Sequence, residues 1–224
     1  VPAHAEIILA NGLITAQKRL DRMVAALPRV LKRHPDVYFL VLGREHPTQQ
    51  QRSAGKENAE NAAPALMPGL LALAAARGVR GHVLWLDGFV EQAELAAMLA
   101  RAAVFVTPFD ESTPTSVCFA FHLVFSGKGS MRDCLHAQRC EDCPSRCLAR
   151  ACGEQQCMLH AQGTLLMAMA HGLPVVSTPY HFALELLQNG SGLLVPFADR
   201  GPRLARALCR LLEDAALRSA MVRR

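Results

Sequence analysis

Aromatic residues are scarce in this chain of 224 residues: 5% overall, with one Trp and two Tyr. That scarcity argues against a platform on which single-stranded nucleic acid would stack. Lys and Arg bring the net charge to +5, but they are scattered rather than striped, so no nucleic-acid partner is expected. Charge itself is sparse, at 19%, while 51% of the chain is apolar, which excludes a disordered tail and provides for a sizeable core. Long apolar runs are missing as well. Val83–Leu86 and Val104–Val106 are far too short to cross a bilayer, so no transmembrane span is expected. The chain opens at Val1 without a basic leader and apolar h-region, so no signal peptide is visible and a piece of a longer protein is expected.

Most of the chain also lacks cysteine. Seven of the eight Cys lie between Cys118 and Cys157, and Cys209 stands alone on a late helix. A secreted scaffold spreads its cysteines through the fold, so this cluster belongs to one segment. Cys140-x2-Cys143, followed by Cys147, Cys152 and Cys157 and preceded by Cys134, could offer four thiolates to zinc. Only Cys140/Cys143 has the form of a zinc knuckle, however, and the expectation is that no metal is held.

What is present is an alternation of short β-rich runs with helical periods. Strands are predicted over Glu6–Ala10, Val37–Leu42, His82–Leu86, Ala103–Thr107, Pro174–Ser177 and Leu193–Val195. Leu20, Met23, Val24, Leu27, Val30 and Leu31 repeat at helical spacing, with Lys and Arg assigned to the other face. Further helices are predicted over Leu70–Arg77, Ala93–Arg101, Thr164–His171, His181–Asn189, Arg203–Leu212 and Asp214–Val222, and Arg44–Pro64 reads as an exposed loop. Such alternation predicts an α/β fold with a parallel sheet and helices on both faces. Ligands of such sheets bind at the carboxyl ends of the strands, where Gly12, Gly43, Gly88 and the Thr107–Ser116 loop fall.

The series Gly12-Leu-Ile-Thr-Ala-Gln-Lys18, His34-Pro-Asp-Val-Tyr-Phe-Leu-Val-Leu-Gly43, Gly88-Phe-Val and Val104-Phe-Val-Thr-Pro108 has a family likeness, continued by Ala168-Met-Ala-His-Gly-Leu-Pro-Val-Val-Ser-Thr178 and Glu185-Leu-Leu-Gln-Asn-Gly-Ser-Gly-Leu-Leu-Val-Pro196. It resembles the C-terminal, donor-binding half of retaining GT-B glycosyltransferases of group 1. The resemblance implies a Rossmann-like domain that binds a nucleotide-sugar, no cofactor and no metal, and an N-terminal acceptor domain not contained in this chain. It covers residues 1–116 and 163–224 as one discontinuous domain. Deleting residues 117–162 joins Ser116 to Gly163 and restores the strand–loop–helix of the family, so this Cys-rich segment is expected to be an insert or an unspliced intron product. An intron beginning GT and ending CAG could encode Val117 at its start and Gln162 at its end.

The same resemblance assigns roles. Lys18 falls where the family places a lysine against the donor diphosphate, and there a fixed cation would stabilise the departing charge; the alternative is a solvated lysine at a helix start. The Arg that usually accompanies it is absent, Leu13 and Ile14 occupying that stretch. Gly163 and Thr164 open a helix whose N–H groups suit a phosphate, although Thr164 could equally be an ordinary N-cap. Gly12, Gly43 and Ser116 complete the expected donor site. Glu185 matches a family glutamate, against the alternative of an exposed helix acid. Of the family's paired glutamates, Met167 replaces the second, and Glu111 lies two positions out of register for the first. His171 and His181 are candidates to approach the sugar, or capping residues.

The reading is therefore a glycosyltransferase donor domain, inactive alone, with Lys18 as its catalytic residue and an unidentified sugar, lipid or protein acceptor. The rival is a non-catalytic module: a degenerate donor domain, or a Cys-rich metal-dependent interaction protein.

Overall fold

The computed structural model describes residues 2, 4–45, 66–111 and 163–223. Six strands, β1 (Glu6–Asn11), β2 (Val37–Leu42), β3 (Val83–Leu86), β4 (Val104–Thr107), β5 (Val175–Ser177) and β6 (Gly192–Leu194), form one sheet in the order β3-β2-β1-β4-β5-β6. Every neighbouring pair is parallel. The runs VYFLVL, VFVT and VVS explain this choice. They are continuously apolar and rich in β-branched residues, which suits strands covered on both faces.

Parallel neighbours need crossovers, and helices supply them. These are α1 (Leu20–Leu31), α2 (Leu66–Ala76), α3 (Gln92–Arg101), α4 (residues 163–170), α5 (His181–Leu187), α6 (Pro202–Glu213) and α7 (Ala215–Val222). On one face, Met23, Val24 and Leu27 of α1, Met67 and Leu70 of α2, and Leu208 and Leu212 of α6 close over Ile8, Val41 and Val104. On the other, Leu99, Leu165, Ala168 and Phe182 close over Leu9, Leu40, Phe105 and Val175. Ile8 and Leu9 enter different cores because successive strand side chains point to opposite faces. The strand order turns back between β1 and β4, the place where an open parallel sheet offers a crevice at its carboxyl edge. Among the described residues, no helix is long and apolar enough to cross a membrane.

The α/β reading and all six strands are observed, with small shifts at helix ends. α2 begins at Leu66 rather than Leu70, and α5 stops at Leu187, before the positive-φ turn at Gly190. Two expectations need correction. Glu45, assigned to an exposed loop, is 3% exposed. It bridges Ile14, and its carboxylate accepts the Met67 backbone N–H, because the first turn of α2 leaves amide donors without partners within the helix. Arg22, assigned to the solvent face of α1, is 7% exposed, because its guanidinium turns toward the loop after β4.

Candidate functional site

β1 and β2 both run into glycine, and the two glycines touch. Gly12 (φ +96°) donates its N–H to the Leu42 carbonyl at 2.9 Å, while Gly43 (φ +136°) donates to the Leu86 carbonyl at 3.0 Å. The Gly43 carbonyl in turn accepts the Trp85 indole N–H at 2.8 Å. A Cβ built on Gly43 would lie 2.2 Å from the Gly12 carbonyl oxygen, so these two backbones can meet only without a side chain there. The result is a backbone shelf at the carboxyl ends of the first two strands.

The chain next makes a single 3-10 turn, Ala16–Lys18, and enters α1 through Arg19 in the left-handed region at φ +46°. Arg19 is braced by a two-pronged pair with the Asp21 carboxylate, at 3.0 and 2.8 Å. This turn sends Lys18 inward. Its side chain is buried, Nζ donates to the Asn11 carbonyl at 2.7 Å, and the ammonium lies 5.1 Å from the centroid of the Phe109 ring. Burial pushes its pKa down to about 7, with no carboxylate opposing the effect. A solvated lysine is thereby ruled out. The glycines Gly12 and Gly43 and the side chain of Lys18 are brought to one place.

Phe109, buried in the loop after β4, is the floor of this site. On its far side it stacks on Tyr180, 5.2 Å between centroids and 22° between planes. The Tyr180 hydroxyl is pushed up to about 12 chiefly by burial, which the Thr107 and Ser177 side chains oppose. The Phe109 carbonyl accepts from Thr178 Oγ1 at 2.5 Å. The Arg22 guanidinium reaches the Pro108 and Phe109 carbonyls, at 3.4 Å each, and the Asp110 N–H donates to the Gln17 carbonyl at 3.0 Å. Desolvation, then the neighbouring Arg19, lowers the pKa of Arg22.

Gly163 and Thr164 start α4, where a Cβ on Gly163 would meet nothing within 4 Å and Thr164 is buried. Glu185 is exposed on α5 and pairs with His181 of its own helix at 3.2 Å, so it is engaged outside the Lys18 cluster. His171 and Glu111 are exposed. Ser116, the segment 117–162 and the cysteines Cys118 to Cys157 lie outside the described residues. Among the described residues, no group of three His, Cys, Asp or Glu side chains could hold a metal ion.

Asn11, Arg22, Phe109, Thr178 and Tyr180 were not legible as site residues. Phe109 had one usable signal: it is the only aromatic between the end of β4 and Ser116. Arg22 had none, since α1 carries two arginines, Arg22 and Arg29, and only the folded loop shows which one turns inward.

A parallel sheet of this order, with glycine turns and a buried lysine at its carboxyl edge, defines a Rossmann-like domain. Its fold is that of the C-terminal domain of GT-B glycosyltransferases. The family model for glycosyl transferases group 1 matches residues 121–214. The crystallised C-terminal domain of LpcC, a group 1 family protein from Francisella tularensis, aligns with 99% of this chain and 82% of its own, at 15% identity and TM-score 0.61. WaaG, a glycosyltransferase involved in lipopolysaccharide biosynthesis, aligns at 17% identity and TM-score 0.57, over 98% of this chain and 41% of its own. HepE from Anabaena, solved with UDP and glucose, aligns at 14% identity and TM-score 0.60, over 97% of this chain and 41% of its own. At such identities the likeness is one of fold. The chain spans about two fifths of the length of WaaG and of HepE. No curated protein matches the sequence.

Proposed function

We propose that this chain is the donor-binding half of a nucleotide-sugar-dependent glycosyltransferase. The observation that carries the reading is Lys18: a buried lysine with no carboxylate partner among the described residues, beside a glycine shelf at the carboxyl ends of the strands. Burying such a charge is costly unless an anion uses it. The diphosphate of a nucleotide-sugar would complete it, consistent with the UDP in the similarly folded HepE.

In transfer, the bond from the anomeric carbon to the diphosphate oxygen would break, a bond to the acceptor hydroxyl oxygen would form, and the hydroxyl proton would pass to the leaving diphosphate. Negative charge grows on the leaving diphosphate as the sugar becomes oxocarbenium-like. Lys18, displaced from the Asn11 carbonyl, would neutralise that growth, with the N-terminus of α4 at Gly163 and Thr164 as a second donor of hydrogen bonds. Gly12, Gly43 and Ser116 would line the donor, and Glu185 would join it only by leaving His181. Retention of configuration, a metal-free mechanism and an N-terminal domain holding the acceptor follow from the resemblance. Titration calorimetry of the chain with UDP, GDP and ADP tests the reading. One of them is expected to bind, and Lys18→Ala should weaken it about tenfold or more. Binding of none would overturn it.

A further inference from the structure

Arg22 is buried, yet among the described residues it forms no ion pair with a carboxylate, and its Nε has no hydrogen-bond partner there. Its charged surroundings are mixed: Asp21 and Asp110 favour the cation, and Arg19 and Arg200 oppose it. A side chain in that position is not explained by a simple salt bridge. What it holds is backbone, since one guanidinium nitrogen bridges the consecutive carbonyls of Pro108 and Phe109. Thr178 grips the same Phe109 carbonyl from the β5 side, and Gln17 fixes Asp110. The segment from Pro108 to Asp110 is therefore clasped between α1 and the end of β5, with its ring pressed between Lys18 and Tyr180.

We propose that Arg22 is a positioning residue of the donor site, setting the Phe109 ring under the Lys18 ammonium through its grip on the Pro108 and Phe109 carbonyls. The inference rests on the donor-site reading for its purpose, but the geometry it describes is independent of that reading. Lys18 donates to the Asn11 carbonyl at 2.7 Å and lies 5.1 Å from the centroid of the Phe109 ring, and burial pushes its pKa down to about 7. The charged groups around this corner are Arg19, Asp21 and Arg22 on the α1 side, Asp110 after β4, and Arg200 before α6. Among the described residues no carboxylate of this corner pairs with Lys18, which leaves the ring and its clasp to set how dry the ammonium is.

The full chain has four lysines, so 13C resonances at the lysine Cε positions can be assigned with Lys18→Ala and followed against pH. In folded Arg22→Met, which keeps the stem and removes the guanidinium, the Lys18 midpoint should rise by about one pH unit or more as water reaches the ammonium. Arg22→Lys, which keeps the charge but loses the fork, should lie between the two, and decides the matter alone if Arg22→Met does not fold. Midpoints equal to wild type in the folded variants, even with lowered stability, would overturn the proposal and leave Arg22 a merely structural residue. In parallel, the pH at which UDP affinity falls off should move upward with the Lys18 midpoint. If UDP fails to bind the wild-type chain while the midpoint still moves, the donor reading fails and the positioning role stands.

Discussion

A Cβ on Gly43 would come within 2.2 Å of the carbonyl oxygen of Gly12, and 2.9 Å of its carbon. No rotamer relieves that clash, because the obstacle is backbone fixed by the Gly12–Leu42 hydrogen bond. The φ of +136° adds strain of its own for any residue with a side chain. Gly43→Ala should therefore cost about 2–4 kcal/mol and lower the thermal midpoint by on the order of 10 °C. Circular dichroism melting measures it, and an unchanged midpoint would mean that the two turns do not abut.

Lys18 also gives the fold a pH dependence with a definite sign. Folded, it loses its proton near pH 7; unfolded, near the ordinary 10.5. Between these values the unfolded chain binds the extra proton, so unfolding becomes harder as pH rises, by up to about 1.4 kcal/mol per pH unit. Below pH 7 the penalty of the buried charge is fully present. Tyr180, pushed up to about 12, reverses the trend only above its ordinary 10. Urea unfolding at pH 7 and pH 9.5 should show the higher stability at the higher pH, and Lys18→Met should abolish that difference. Equal slopes in wild type and variant would show that Lys18 is hydrated in the folded chain.

A third expectation concerns the start of α6. The Asp199 carboxylate accepts the N–H groups of Gly201, Arg203 and Leu204, at 3.1, 3.0 and 2.9 Å. These amides have no partner within the helix, and the negative charge also meets the positive end of the helix dipole. Asp199→Ala should cost about 1–2 kcal/mol, whereas Asp199→Asn should cost less. Chemical denaturation that ranks the two variants the other way would argue against a capping role.

The sheet was readable because its strands are short, apolar and closed by glycine or proline, a pattern that depends on neighbours in sequence. The glycines that close β1 and β2 were readable for the same reason, whereas Lys18 was singled out only by the resemblance to the family. Phe109, Thr178, Tyr180 and Arg22 were not, because their roles depend on which loop meets which across β1, β4 and β5. The burial of Glu45 escaped for a related reason: its partner is a backbone N–H 22 positions further along the chain. Sequence periodicity cannot show a hydrogen bond of that span.

Transfer itself tests the proposed division of labour between a donor domain and an acceptor domain. In a GT-B enzyme the acceptor hydroxyl is held against the anomeric carbon by the opposing domain, and closure of the cleft supplies the orientation. Positioning of that kind can be worth roughly 7–11 kcal/mol. The chain alone should therefore bind donor and transfer no sugar, with slow donor hydrolysis as its most visible reaction. In a complete two-domain enzyme carrying this domain, Lys18→Ala should lower turnover by about ten- to a thousandfold, the scale of losing a charge-stabilising donor. Donor affinity should fall less than turnover, because negative charge on the diphosphate grows toward the transition state. Steady-state kinetics with kcat and KM separated would show this as a loss mainly in kcat. A Lys18→Ala enzyme with unchanged kcat would remove the residue from the mechanism, and robust transfer by the chain alone would refute the division of labour between two domains.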